Sequence, residues 1–323
     1  MQTRVLEAHE PRDVDVAVSI LMNGGLVGIP SETVYGLAAN ASLPEAVKRI
    51  FEAKGRPADH PLILHVPDIA QARAASRDWP DAAEILGGAF WPGPLTVIVP
   101  KADVVDLVVT GGQDSVALRV PDNIVLLDVL KRLIGLGSIG IAAPSANRFG
   151  HVSPTTAQHV LDDLNGAIDA VLDGGSAPVG VESTIVDCTT SPPRVLRPGG
   201  ISTEDIDLAL ELAGESVTDE GGDGSSGVRA SGMHATHYAP RAQVALAENM
   251  ADAIDLAAEL RAAGRHVLLL AADPDPKVQA RELFALLRQA DALKPDVIVA
   301  VLPPAVGIGR AVRDRLFKAA ATR

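Results

Sequence analysis

Between Leu26 and Pro198 the chain strings together LVGIPS, PLILHVP, LTVIVP, SVALRVP, IGIAAPSA, STIVDC and RVLRP, short apolar runs separated by prolines, serines and charges. Runs of this length, rich in Val, Ile and Leu and bounded by turn residues, predict buried strands. Several follow one another with no room for a helix. Parallel crossovers therefore cannot join them all, and the predicted sheet is mixed. Helices interleave elsewhere: Val14, Ala17, Ile20 and Leu21 recur at helical spacing before Gly24 and Gly25, and PEAVKRIFEAK opens on a proline, where a helix tolerates one. The pattern is that of an α/β protein.

At 323 residues the chain exceeds one typical domain. From Glu215 to Arg229 it turns into DEGGDGSSG and its neighbours, with too little apolar surface to pack, which predicts a linker. Beyond it, QVALAE, a helical stretch near 251–263, HVLLLAA, a helix near 282–290, DVIVAVLP and a final helix alternate strand with helix. That alternation predicts a small Rossmann-like parallel domain. A hydrophobic content of 47% with 3% aromatics suits aliphatic packing of helices on sheets.

A formal charge of −13 argues against a general nucleic-acid or anionic-membrane coat, so an anionic ligand must be held by a few specific Lys and Arg residues. The single cysteine, Cys188, sits in the strand-like STIVDCT and reads as a packed thiol, and no Cys/His cluster has zinc spacing. No apolar leader and no long unbroken apolar run are evident, which predicts a cytoplasmic protein that does not enter the membrane. A G-x-x-x-x-G-K-[ST] loop is absent, as is the G-x-S-x-G elbow of serine hydrolases. GIGRAV, 307–312, lacks the third glycine of a dinucleotide site and reads as a tight strand-to-helix turn.

The oxygen-rich turns carry more information. GIPSETVYGLAANA places Ser31, Glu32, Thr33 and Tyr35 between two apolar runs, at what reads as a strand-to-helix loop. AKGRP puts Lys54 and Arg56 at a helix end, either as charges on the helix dipole or as a paired cation for phosphates. His65 ends PLILHV. Arg119, inside an apolar strand, requires an anionic partner, which an internal acid or a substrate carboxylate could equally supply. APSANRFGHVSPTT offers Ser145, Asn147, Ser153 and Thr155, with Ser153 or Thr155 placed to cap the next helix, and VESTIVD and RVLRPGG add Ser183, Thr184 and Arg197. Together these resemble a pocket that hydrogen-bonds a small polar molecule beside a phosphate chain.

PSETVYGLAANA, KGRPADHPLILHV, FWPGPLTVIVP, SVALRVPD, APSANRFGHVSPT, ESTIVD and LRPGG, in this order, resemble the motifs of the YrdC/Sua5 family, and HYAP after the linker resembles its longer Sua5 branch. The resemblance implies a YrdC-like twisted mixed-sheet catalytic domain over 1–213, a linker that lies over the site at 214–240, and a smaller Sua5 domain over 241–323. It implies a nucleotidyltransferase that makes threonylcarbamoyl-adenylate and pyrophosphate from L-threonine, bicarbonate or CO2, and ATP. The product would pass to the machinery that modifies adenosine 37 of tRNAs, with tRNA as a further partner. Carried over by motif, Thr33, His65, Arg119, Ala143 and Ser183 would hold threonine. Arg56, His60, Ser115, Ser145, Ser153, Arg197 and Tyr238 would line the ATP site, and Lys54 and Asn147 would join Arg56 and Ser145 in the phosphate-facing, catalytic group. No protein metal cage is implied; Mg2+ would sit mainly on the ATP phosphates. A double-stranded RNA-binding module without adenylate-forming activity is the alternative, which the acidic charge and the lack of an aromatic stacking platform oppose.

Overall fold

The computed structural model describes residues 2–214, 227–233 and 237–321. The heart of the expected linker, 215–226, and His234–Thr236 of its lid lie outside them. The first part runs β1 (Arg4–Glu7), α1 (Pro11–Met22), β2 (Val27–Ile29), β3 (Gly36–Asn40), α2 (Pro44–Lys54), β4 (Ile63–His65), α3 (Ile69–Ala74) and α4 (Asp81–Phe90). It continues with β5 (Leu95–Pro100), α5 (Leu107–Thr110), β6 (Ser115–Arg119), α6 (Ile124–Gly135), β7 (Ile141–Ala142), α7 (Ala157–Leu164) and β8 (Ala170–Asp173). β9 (Thr184–Asp187), β10 (Arg194–Arg197) and α8 (Thr203–Glu211) complete it. The second part is β11 (Gln243–Ala247), α9 (Met250–Ala262), β12 (Val267–Leu270), α10 (Pro276–Ala292), β13 (Val297–Val301) and α11 (Gly309–Ala320).

Ten strands of the first part form one sheet in the order β1-β8-β2-β3-β7-β4-β6-β5-β9-β10. It is mixed, as predicted: β4 pairs parallel with β6 and β5 with β9, while β2 with β3, β4 with β7 and β5 with β6 are antiparallel. The alternation of β3 explains why both faces are covered. Leu37 and Ala39 enter the core that contains Val47 and Ile50 of α2, whereas Ala38 enters the core that contains Leu21 of α1 and Leu130 of α6. α2 starts at Pro44 and stops at Gly55, whose φ of 63° supplies the left-handed cap, so Arg56 is delivered straight off the helix end.

The second part is a three-stranded parallel sheet, β11-β13-β12. Along β13, Val297 and Val299 pack toward α9, and Ile298 and Ala300 toward α10 and α11. The latter core does not stop at the second sheet. It also takes in Val34, Val152, Val181 and Tyr238, so packing ties α10 and α11 to loops of the first part.

Three local readings are corrected. The SETVY turn joins two antiparallel strands, β2 and β3, and does not lead into a helix. β1, β3 and β8 are strands for which the sequence carried no reading; in β3 GLAAN is small-residue sequence, and in β1 RVLE buries only its leucine. The cap of α7 is Thr156, whose side chain accepts from the His159 amide. Ser153 is buried instead, and donates to a carboxylate described below.

Candidate active site

The β2–β3 turn is built by its own hydroxyls. Ser31 Oγ accepts from the amides of Thr33 (3.2 Å) and Val34 (3.3 Å) and donates to the Val34 carbonyl (2.6 Å). Thr33 Oγ1 lies 2.9 Å from Ser31 Oγ and accepts from Arg119 Nη2 at 3.0 Å. An arginine only donates and a carbonyl only accepts, so the chain of bonds has one direction, from Arg119 through Thr33 and Ser31 to Val34. Tyr35 turns the other way. Its hydroxyl donates to the Gly175 carbonyl at 2.7 Å, and burial, the largest influence, raises its pKa.

Arg119 ends β6 directly across from His65, which ends β4. Glu32 Oε1 stands 2.6 Å from Arg119 Nη2, and both residues are 4% exposed. The pair is held by charge, for neither Glu32 oxygen has an aligned hydrogen-bond donor among the described residues. Arg119 Nε donates to the Gly93 carbonyl at 3.4 Å. Its Nη1 makes no hydrogen bond with the described residues, and the side chain lines the pocket.

His65 is buried, with Nδ1 3.2 Å from the Ile63 carbonyl. Burial, followed by the charge of Arg119, lowers its pKa from 6.5 to about 3. A neutral imidazole there adds no second positive charge beside Arg119. The unfolded chain protonates this histidine near 6.5 and the native chain only near 3, so its contribution to stability is complete above 6.5 and is lost as pH falls between those values. We expect the His65 ring resonances to show no titration between about pH 5 and pH 8. A midpoint near 6.5 would contradict this environment.

Arg56 and Arg197 line the same pocket. Arg56 Nη2 donates to the Pro61 carbonyl at 2.9 Å, while its buried Nε has no hydrogen-bond partner among the described residues. Burial brings its pKa down to about 10, which leaves it charged at neutral pH. Arg197 Nη2 donates to the Ser183 carbonyl (2.7 Å) and hydroxyl (3.1 Å), and Nη1 to the Ser231 carbonyl (2.7 Å). Ser183 Oγ is also 2.7 Å from Thr96 Oγ1. Segment 231–232 thus lies over Arg197. A Cβ on Gly232, whose φ is +82°, would come within 2.6 Å of the Tyr238 hydroxyl and 2.9 Å of Arg197 Nη1.

Residues 19–199 match a family profile for Sua5, YciO and YrdC proteins, described as telomere recombination. Residues 201–321 match one described as threonylcarbamoyl-AMP synthase, C-terminal domain. The chain belongs to the Sua5/YrdC family. Its relatives include threonylcarbamoyl-AMP synthases of Pyrococcus abyssi, 42% identical over 99% of this chain and 97% of that protein, and of Bacillus subtilis, 39% identical over 99% and 96%. Among solved structures it is similar to P. abyssi Sua5 complexed with L-threonine, with a TM-score of 0.89, 38% identity and coverage of 99% of this chain and 98% of that one.

Of the residues suggested by the Sua5/YrdC motifs, one pocket gathers Thr33, Arg56, His65, Arg119, Ala143, Ser145, Ser183, Arg197 and Tyr238. His60 lines an adjoining hollow with Phe149, Arg229 and Met233, which shares Arg56, Gly232 and His237 with the first. Lys54 and Asn147 line neither. The buried Lys54 ammonium donates to the carbonyls of Ser145 (2.5 Å) and Asn147, fastening the loop that carries Ser145, and Asn147 donates to the carbonyls of Arg148 and His151. Burial, then the neighbouring Arg56, pushes the Lys54 pKa down. Ser115 sits at the opposite end of β6 from Arg119, and Ser153 lies behind the wall.

Sequence reasoning passed over Glu182, which lines the same pocket and accepts from Ser153 Oγ at 2.6 Å through Oε1. It preceded a strand-like run and gave no periodic signal. Ser231, Gly232 and His237 also line the pocket, from the stretch at 214–240 that the family resemblance expected over the site without naming these residues.

Proposed function

We propose that this chain condenses L-threonine, bicarbonate or CO2, and ATP into threonylcarbamoyl-adenylate and pyrophosphate, with water as a further product when bicarbonate supplies the carbon, and so acts as a nucleotidyltransferase. The observation that carries this reading is a single pocket lined by three arginines, Arg119 bonded to Thr33 and Arg56 and Arg197 with other partners, together with the small polar side chains of His65, Ser145 and Ser183. An amino acid carboxylate suits Arg119, where Thr33, the neutral His65 and Ser183 surround it with small polar groups. Phosphates suit Arg56 and Arg197, and the hollow past Arg56 has room for a base and ribose. The names and the threonine complex of the full-length relatives support the same assignment.

In the reaction the threonine nitrogen bonds to the CO2 carbon and gives up a proton. A carbamate oxygen then bonds to the α-phosphorus as the bond to pyrophosphate breaks. Positioning and charge neutralisation, with no covalent enzyme intermediate, account for the rate. Arg119 would fix the carboxylate so that the nitrogen faces the middle of the pocket, and Arg56 and Arg197 would take up charge on the departing pyrophosphate.

Among the described residues no group of three or more His, Cys, Asp or Glu could hold a metal ion, and Glu182 Oε1 is already engaged by Ser153. A magnesium ion here would travel with ATP, take its ligands from phosphates and water, and supply neutralisation of phosphate charge. We assign the product to tRNA adenosine modification and the protein to the cytoplasm; no helix among the described residues is long and apolar enough to cross a membrane. Pyrophosphate release that requires threonine and bicarbonate together is the expected result. Release at the same rate without threonine would defeat the proposal.

A further inference from the structure

Helix α11 belongs to the second sheet, yet it sends the fully buried Arg315 toward the pocket wall. Arg315 Nε donates to Glu182 Oε2 at 2.7 Å and Nη1 to the Pro198 carbonyl at 3.0 Å, and its guanidinium lies 5.2 Å from the centroid of the Tyr238 ring. One turn on, Lys318 Nζ donates to the Gly232 carbonyl at 2.8 Å. The same helix therefore holds both the pocket carboxylate and the segment that lies over Arg197.

Glu182 is the difficulty that Arg315 resolves. It is an acid in the wall of a pocket read as taking phosphates, on the same face as Arg197. Burial alone would push its pKa up; Arg315, then Arg197 and the Ser153 hydroxyl, outweigh burial and keep it ionised. An ionised Glu182 without Arg315 would repel incoming phosphates. With Arg315 in place Glu182 has a cationic partner and holds Ser153 and the wall, while Asp314, which also accepts from Arg315 Nη1 at 2.5 Å, is shared with Lys318 at 2.9 Å.

We propose that Arg315 is a positioning residue through which the C-terminal domain sets nucleotide affinity: it neutralises Glu182, so that Arg56 and Arg197 present net positive charge to ATP. This rests on the assignment of that end of the pocket to phosphates. It leaves the threonine end, at Arg119, untouched.

The test is steady-state pyrophosphate release by the full-length chain and the variants Arg315→Lys, Arg315→Met and Arg315→Met/Glu182→Gln. Removing one charge at about 10 Å from the phosphates, in a medium of effective dielectric about 20, should raise the ATP KM of Arg315→Met roughly tenfold. The threonine KM should stay within about twofold, since that end keeps its contacts, and Arg315→Lys should lose less than about threefold because it retains the charge. Adding Glu182→Gln should bring the ATP KM back toward wild type, which a purely packing role for Arg315 would not do. The double variant removes the Glu182 charge and leaves Asp314 its Lys318 partner, so it carries the test even if Arg315→Met does not fold. An unchanged ATP KM in Arg315→Met, an equal rise in both KM values, or a double variant with a tenfold-raised ATP KM would each overturn the inference while leaving the assigned reaction intact. A wild-type chain with no threonine-dependent pyrophosphate release would overturn both.

Discussion

Arg119→Ala is expected to raise the threonine KM by roughly 30-fold or more, the lower end of the ~2–5 kcal/mol that truncating one partner of a desolvated charge pair costs. Arg119 already has one anionic neighbour, Glu32, whose Oε1 stands 2.6 Å from Nη2, but that carboxylate is not part of the pocket lining. Of the two partners that the sequence left open for Arg119, the structure shows the internal acid, and the proposed carboxylate contact is what this variant tests. The alanine variant should also melt earlier, because it strands Glu32 in a buried site; breaking such a pair costs about 3–5 kcal/mol. Arg119→Lys separates the two effects. It keeps a charge for Glu32, and so most of the stability, but loses the fork, and its threonine KM should still rise about tenfold or more. An unchanged threonine KM in a folded Arg119→Lys protein would remove Arg119 from the substrate site.

Gly199→Ala is expected to destabilise the chain and nearly abolish turnover, although it adds a single methyl group. A Cβ at Gly199 would lie 2.3 Å from both the Ser183 carbonyl carbon and the Thr184 nitrogen, and 2.4 Å from the Glu182 carbonyl oxygen. All three are backbone atoms and cannot swing aside as a side-chain end could. The segment leading into β9, which carries Glu182 and Ser183, must move, and overpacking of this kind costs about 1–3 kcal/mol. A shift of about 1 Å in residues that line a site can cost on the order of a hundredfold in rate. Gly88→Ala provides the contrast. Gly88 lies within α4, where a Cβ meets nothing within 4 Å, so alanine should stabilise by up to about 1 kcal/mol and leave activity alone. Thermal melting and turnover of the two variants check both claims together, and a Gly199→Ala protein with wild-type turnover would show that the wall need not be held so closely.

What could be read in the sequence was whatever a period or a motif encodes locally. The strands that carry His65 and Arg119 announced themselves as apolar runs, and the helix before Arg56 by its proline and its glycine stop. β3 could not be seen that way, because GLAAN takes its strand character from pairing between β2 and β7. Lys54 stood beside Arg56 in sequence and looked like its partner; only the tertiary fold turns its ammonium onto the carbonyls of Ser145 and Asn147. Arg315 was least legible of all. In GRAVRDRLFKAA it is one of several cations on an amphipathic helix, and only packing shows that it, unlike the half-exposed Arg310, points inward to Glu182 some 133 residues away in the chain.

The central claim is that one pocket joins a threonine end to a nucleotide end, and supply of carbon-13-labelled bicarbonate with threonine and ATP tests it most directly. The expected product, followed by mass spectrometry, is an adenylate that contains threonine and one labelled carbon, formed in step with pyrophosphate. Hydrolysis of ATP with no threonine-containing adenylate, or an adenylate without the label, would contradict the account.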